Sequence, residues 1–170
     1  MFFEIIQQFS KTLTNLDAIL AKAEKHAEAR KFSPDNFLTM RMAPDMLPFT
    51  AQIRIACDTA KGAAAATSGT EVPKQDEGDQ TFADMRARIQ KSRDYLAAFK
   101  AEDFAKTTPM TVVPVPYPPN KSMHAQEALL ARAVPNFFFH VTTAYDLLRK
   151  GGVEIGKTDY LGELQLLDRP

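Results

Sequence analysis

Apolar residues recur at alternating intervals of three and four from near the start of the chain: Ile6, Phe9, Leu13, Leu16, Leu20, Ala23 and Ala27. That spacing holds one face of an α-helix apolar, and a helix so patterned must bury the face against elements like itself. The same stripe returns three times. It runs through Met46, Phe49, Ile53, Ala56, Ala60 and Ala63, and again through Phe82, Met85, Ile89, Ser92, Leu96 and Phe99. A fourth copy takes Leu130, Ala133, Phe137, His140, Ala144 and Leu147. No segment carries a strong strand signal, so the pattern predicts an all-α four-helix bundle, one domain over residues 1–170, with long crossover connections.

The ends of the stripes carry their own signals. Basic residues in 26–31 suit the C-terminus of the first helix. Ser33 before Pro34 reads as the cap and first residue of a short helix, and Ala43-Pro44 is expected to open the second long one. Pro48 lacks an amide donor, so a bent or delayed start is expected there. TSGTEVPKQDEGDQ (67–80) is a loop by composition. Thr81 is expected to cap the third helix, with Asp84 three residues on as a weaker form of the capping box. The prolines of TTPMTVVPVPYPPN (107–120) exclude a helix and predict a stiff extended crossover with no central place in a sheet. Ser122 is expected to cap the fourth helix, and Gly151-Gly152 to end it.

Composition narrows the function classes. Of 170 residues, 45% are hydrophobic and 25% charged, the balance of a globular chain. The 21 basic and 21 acidic side chains cancel to a net charge of zero, and no basic stripe stands out, which argues against a nucleic-acid partner. The N-terminal MFFEIIQQFSKTL lacks the basic leader of a signal peptide, and no apolar run is long enough to span a membrane. A single cysteine, Cys57, leaves no intrachain disulfide, so a cytoplasmic setting is expected. Cys57 lies beside the second stripe and reads as an inert core thiol. Asp45 is expected to complement a helix start, and Asp58 to pair with Lys61 at the surface.

One motif points elsewhere. GGVEIGKT, Gly151–Thr158, spells the phosphate-cradling pattern G-x-x-x-x-G-K-[ST]. That pattern works when a strand delivers the glycines to a helix N-terminus, where free amides meet phosphate. Here the glycines follow a helix, at its carbonyl end, and little chain remains beyond them. ATP is therefore not expected as a partner. Calorimetric ATP binding at micromolar concentration that disappears in Lys157→Ala would be the contrary result.

The stretch NFFFHVTTAYDLLRKGG (136–152) carries more information. His140 falls on the inward stripe, with Asn136 one turn before it. An imidazole there needs a partner, and Gln52 and Tyr145 are the polar neighbours expected to supply one. Phe138, Val141, Tyr145 and Leu148 form a second apolar row, with Phe139 farther round. Something besides the bundle core must cover them; the C-terminal tail VEIGKTDYLGELQLL and a partner subunit are the candidates, and the two are compatible.

Over nearly its full length the chain resembles a bacterial branch, without assigned function, of the DinB/YfiT-like superfamily of four-helix bundles. The likeness rests on LDAILAKAEKHAEARKFSPDNFLTMRMAPDMLPFTAQIRIACDTAKG, on FFFHVTTAYDLLRKGGVEIGKTDYLG, and on the loop between the second and third helices. The resemblance implies a homodimer. It also implies a divalent metal held by three histidines, one from the second helix and two as H-x-x-x-H in the last, in a superfamily that includes thiol transferases and putative hydrolases. Position by position, the second histidine of H-x-x-x-H matches His140, followed by Leu148 and Arg149, and the first falls on Asn136. The second helix has no histidine, and Gln52 is the nearest polar substitute. One imidazole and two neutral amides make a poor site for Zn, Ni or Mn. The expectation is a small-molecule-binding or non-catalytic bundle with a pocket lined by His140, Asn136, Gln52 and Tyr145, and no cofactor. The alternative is a metal-dependent transferase or hydrolase with His140 as one ligand.

Overall fold

The computed structural model describes residues 1–73, 78 and 80–168, so Lys74–Glu77 and Asp79 of the expected loop, and Arg169 and Pro170, lie outside the described residues. In chain order the long elements are α1 (Phe2–Ala29), α2 (Phe49–Ser68) and α3 (Phe82–Ala97). An antiparallel hairpin follows, β1 (Val112–Val115) with β2 (Lys121–His124). Then come α4 (Ala125–Glu127), a π-helical segment (Ala128–Ala133), α5 (Val134–Lys150) and the short α6 (Lys157–Leu161). The chain is mostly helical with a small strand pair.

The four predicted stripes meet in one core. α2 packs between α3 and α5, while α1 lies against α3, α2 and α5. Ile6, Phe9, Leu13, Leu20, Ile53, Met85, Ile89 and Phe137 are all completely buried there. Arg86 of α3 fastens the outer edge, with Nε and Nη2 on the two oxygens of Asp17 (2.8 and 3.0 Å) and Nη1 on Glu24 (2.7 Å).

Several boundaries follow the local chemistry. The Ser33 hydroxyl accepts from the Asp35 amide at the start of a 3-10 turn, Pro34–Phe37. Thr81 and Asp84 form the reciprocal capping box that opens α3. α2 does not begin at Ala43-Pro44. It is delayed to Phe49, immediately after Pro48, and the Phe49 and Thr50 amides donate instead to the Met40 and Leu38 carbonyls (2.9 and 3.3 Å). Those bonds answer two of the orphan donors of a helix start without any side-chain cap. The delay leaves Met46 and Asp45 in the preceding turn, so Asp45 sits short of the helix start it was expected to complement.

Three expectations are corrected. The proline-rich crossover is partly a β-hairpin, in register Val112↔His124 to Val115↔Lys121. In a two-stranded ribbon both strands are edges, where a proline is tolerated, so Pro114 is no obstacle. Ser122 lies within β2 rather than capping a helix; the ladder holds the chain extended to His124, and helix begins at Ala125. The third correction is one of phase. Leu130 is 43% exposed and Leu129 takes the buried place, because the helix passes through the π segment before α5. The cause is Pro135, which has no amide to donate and whose ring would strike the carbonyl one turn back. Widening the preceding turn relieves that clash and shifts the buried face by one residue.

The tail returns over α5 and α1. Val153 and Ile155 are buried, the Tyr160 ring packs edge-on against Tyr145 (5.9 Å), and its hydroxyl meets Thr142 at 3.0 Å. Asn15 of α1 donates to the Tyr160 carbonyl (3.0 Å), and a Cβ on Gly162, where φ is +64°, would run into the Asn15 side chain. The tail thus covers Tyr145 and part of the second apolar row, whereas Phe139 stays 55% exposed. Among the described residues no helix is long and apolar enough to cross a membrane.

Candidate functional site

α2 has two working faces. One is the core stripe; beside it runs a row of Thr59, Gly62, Ala63 and Ala66. Opposite that row stand Ala128, Ala133 and Leu129, the last turned inward by the phase shift of the π segment, and Pro114–Pro116 of the hairpin closes the third side. Small side chains on both walls cannot meet across the gap. The result is a cavity of about 510 Å³, open on one side. That volume lies within the usual range for small-molecule sites, roughly 300–1,000 Å³.

Gly62 defines the cavity's width, since a Cβ added there meets nothing within 4 Å. Glycine inside a helix is unfavourable by about 1 kcal/mol relative to alanine. The room it leaves is therefore kept at a cost in helix stability.

The polar groups gather on one part of the lining. Asn136 Nδ2 donates to Thr59 Oγ1 (2.8 Å), which fixes both side chains on the α2–α5 seam. Arg132 stands one turn before Asn136 on the same wall. Asp58 also touches the cavity; its expected pair with Lys61 is present, but Asp58 is half-buried and Lys61 buried, so the surface position is corrected here. Lys61 is 7% exposed and lies 3.5 Å from Asp58 Oδ1, with Arg88 at 3.8 Å and Arg54 at 3.9 Å from Oδ2. Oδ1 is buried without a hydrogen bond, and desolvation raises the Asp58 pKa against the pull of Lys61 and Arg88. Next to it, burial pushes the Cys57 thiol up to about 12, so this cysteine is chemically quiet despite Lys61 one turn away.

His140 and Gln52 form a second pair farther along the same seam. Gln52 Nε2 donates to the Leu47 carbonyl (2.9 Å), which turns Oε1 toward His140 Nδ1 at 2.7 Å. An amide oxygen only accepts, so Nδ1 carries the proton and the lone pair of the neutral ring is on Nε2. Burial, and after it the positive charge of Arg54, lowers the His140 pKa and keeps the imidazole neutral.

Of the four residues expected to share a pocket, the structure joins His140 to Gln52, seats Asn136 with Thr59 on the cavity wall, and sets Tyr145 against Tyr160 under the tail. His140, Gln52 and Tyr145 do not line the cavity. Thr59, Gly62 and Arg132 do, and sequence reading passes over them. Their signal was the run of small residues beside the α2 stripe, together with Pro135 inside a helical pattern. Among the described residues no three His, Cys, Asp or Glu side chains come together as a metal-binding group.

At the phosphate-loop motif, Gly156 precedes α6 and its amide donates to Asp159 Oδ2 (2.9 Å); Asp159 in turn accepts from Lys22 Nζ (2.6 Å). The chain's own carboxylate occupies the amide a phosphate would need, and no strand leads into the turn.

The comparisons with known proteins come down on one family. A family model described as a domain of unknown function, DUF1993, matches residues 1–161. The chain belongs to the DUF1993 family. It is also similar to the crystal structure of a DinB family member protein from Shewanella denitrificans, with 40% sequence identity and a TM-score of 0.89, covering 96% of this chain and 93% of that one. A search of curated proteins gives no match. The DinB likeness stated from the sequence is thereby shown, and this DUF1993 chain presents one buried imidazole where a three-histidine site would need two more.

Proposed function

We propose that this DUF1993 protein is a small-molecule-binding four-helix bundle of the DinB kind, and that its ligand occupies the cavity between α2, the π segment and β1. The observation that carries this reading is the cavity itself, about 510 Å³ and walled mainly by small apolar side chains, with Asn136 and Thr59 on its lining. A fold that leaves Gly62 and four alanines around a gap gives up packing that larger residues would supply. A ligand in that gap restores the lost contacts. In this reading His140 and Gln52 are structural. Their bond holds the seam on which Asn136 and Thr59 are displayed, and the protein works without the superfamily's three-histidine metal.

Filling the cavity tests the proposal. Gly62→Leu adds side chain into open space and removes a helix-interior glycine, so the fold is expected to be kept or stabilised, by up to about 1 kcal/mol. N-phenyl-1-naphthylamine, an uncharged apolar dye, is expected to bind the wild type saturably with a rise in fluorescence, and to lose that response in Gly62→Leu. Equal dye binding by both proteins would place the site elsewhere.

A further inference from the structure

Beside the α2–α5 seam the cavity offers hydrogen-bond donors, from Asn136, Thr59 and Arg132. Asn136 uses one Nδ2 proton on Thr59, which leaves its second N–H, and the Thr59 hydroxyl, accepting there, keeps its own proton to give. Arg132, half-buried on the same wall one helical turn from Asn136, makes no ion pair with the described residues. Arg132 therefore adds a positive charge to the lining of a mainly apolar chamber.

The one acid on the lining does not reverse this balance. Asp58 has Lys61 Nζ at 3.5 Å and Arg54 Nη1 at 3.9 Å, so its charge is already opposed from its own side of α2. A cationic ligand approaching Asp58 would meet those cations as well. An anionic ligand at Arg132 meets a guanidinium that forms no ion pair among the described residues, and a charge-assisted bond there is strengthened by the apolar surroundings.

We infer that the cavity selects a free amphipathic monoanion, a small carboxylic acid with its apolar chain along Leu129, Ala63 and Val115 and its carboxylate on Arg132, Asn136 and Thr59. The inference rests on the cavity being the ligand site and adds the chemical class that enters it. One acid group per ligand matches one guanidinium. A chamber bounded by two helical walls and a hairpin holds a single short chain rather than a membrane surface.

The test uses displacement of N-phenyl-1-naphthylamine from the intact protein by three molecules of the same chain length: octanoate, octan-1-ol and octylamine. Octanoate is expected to displace the dye at about tenfold lower concentration than octylamine, with octan-1-ol between, the scale of one charge-assisted hydrogen bond. Arg132→Gln should raise the octanoate midpoint about tenfold while moving that of octan-1-ol less than about twofold, and Arg132→Lys should keep part of the preference. The ranking on wild type stands independently of whether a variant folds. Octylamine matching octanoate, or Arg132→Gln weakening alcohol and acid alike, would overturn the inference and leave the cavity as the ligand site. No dye binding by the wild type, or binding that survives Gly62→Leu, would overturn both.

Discussion

Phe137→Ala is expected to lower the unfolding free energy by about 3–5 kcal/mol, the range for truncating a fully buried aromatic. Phe137 is completely buried, its ring 4.3 Å from that of Phe9 on α1 and 5.2 Å from Phe138. It is the point at which α5 meets α1, in a helix whose largest packing surface is on α2. Removing the ring takes away the burial of its own surface and leaves a hole that helices on three sides cannot close. Phe137→Leu, which keeps most of the volume, should lose clearly less. Urea melts of the three proteins give the answer. A loss below about 1 kcal/mol for the alanine variant would mean that α5 is not seated on α1 as described.

His140→Ala is the second large effect. The substitution leaves a small cavity and orphans Gln52 Oε1, and each mechanism typically costs a few kcal/mol or less, so a combined loss of roughly 2–4 kcal/mol is expected. His140→Gln keeps a donor and an acceptor on the seam and should lose clearly less. The sign of the pH effect follows from the lowered His140 pKa. The unfolded chain takes up the proton more readily than the folded one, so stability is lost as pH falls below about 6.5, and His140→Gln should flatten that slope. A metal ligand would behave otherwise. Chelator would destabilise the wild type and neither variant, and both substitutions would release the ion. Urea melts with and without chelator separate the two; a chelator effect confined to wild type would restore the metal-dependent reading.

The helices were legible because burial imposes a period on them. Ile6 to Ala27 and Phe82 to Leu96 read directly as faces, and the Thr81–Asp84 box and the Gly151-Gly152 stop mark ends by local chemistry alone. The hairpin was hidden. Pro114 and Pro116 argue against a strand in any wide sheet, and only the pairing of 112–115 with 121–124, decided by the turn between them, makes a ribbon of two edges. The phase of the last helix was hidden for a different reason. An unbroken 3.6-residue period gives Leu130 as the buried residue, and the wider turn ahead of Pro135 gives Leu129.

The candidate site was half legible for the same reason. His140 could be given a partner because an inward polar group demands one, and Gln52, offered together with Tyr145, is the one it has. Asn136 was picked out as well, but as a neighbour of His140 rather than of Thr59. The cavity left no mark of its own, because what makes it is an absence of bulk. Gly62 and the alanines around it carry no signal of a gap until the π segment is seen to turn Leu129 toward them. Asp58 misled in the opposite direction, since spacing to Lys61 suggests a surface pair and says nothing of the burial of Lys61 or the half-buried place of Asp58.

The most direct measurement of the central claim is a titration of isotope-labelled wild type with N-phenyl-1-naphthylamine, followed by amide chemical shifts in two-dimensional NMR. The account predicts that the largest shifts cluster at Thr59, Gly62, Ala66, Leu129, Ala133 and Asn136, and that they vanish in Gly62→Leu. Shifts centred on Phe139, His140 and Leu47 with the cavity residues unmoved would contradict it.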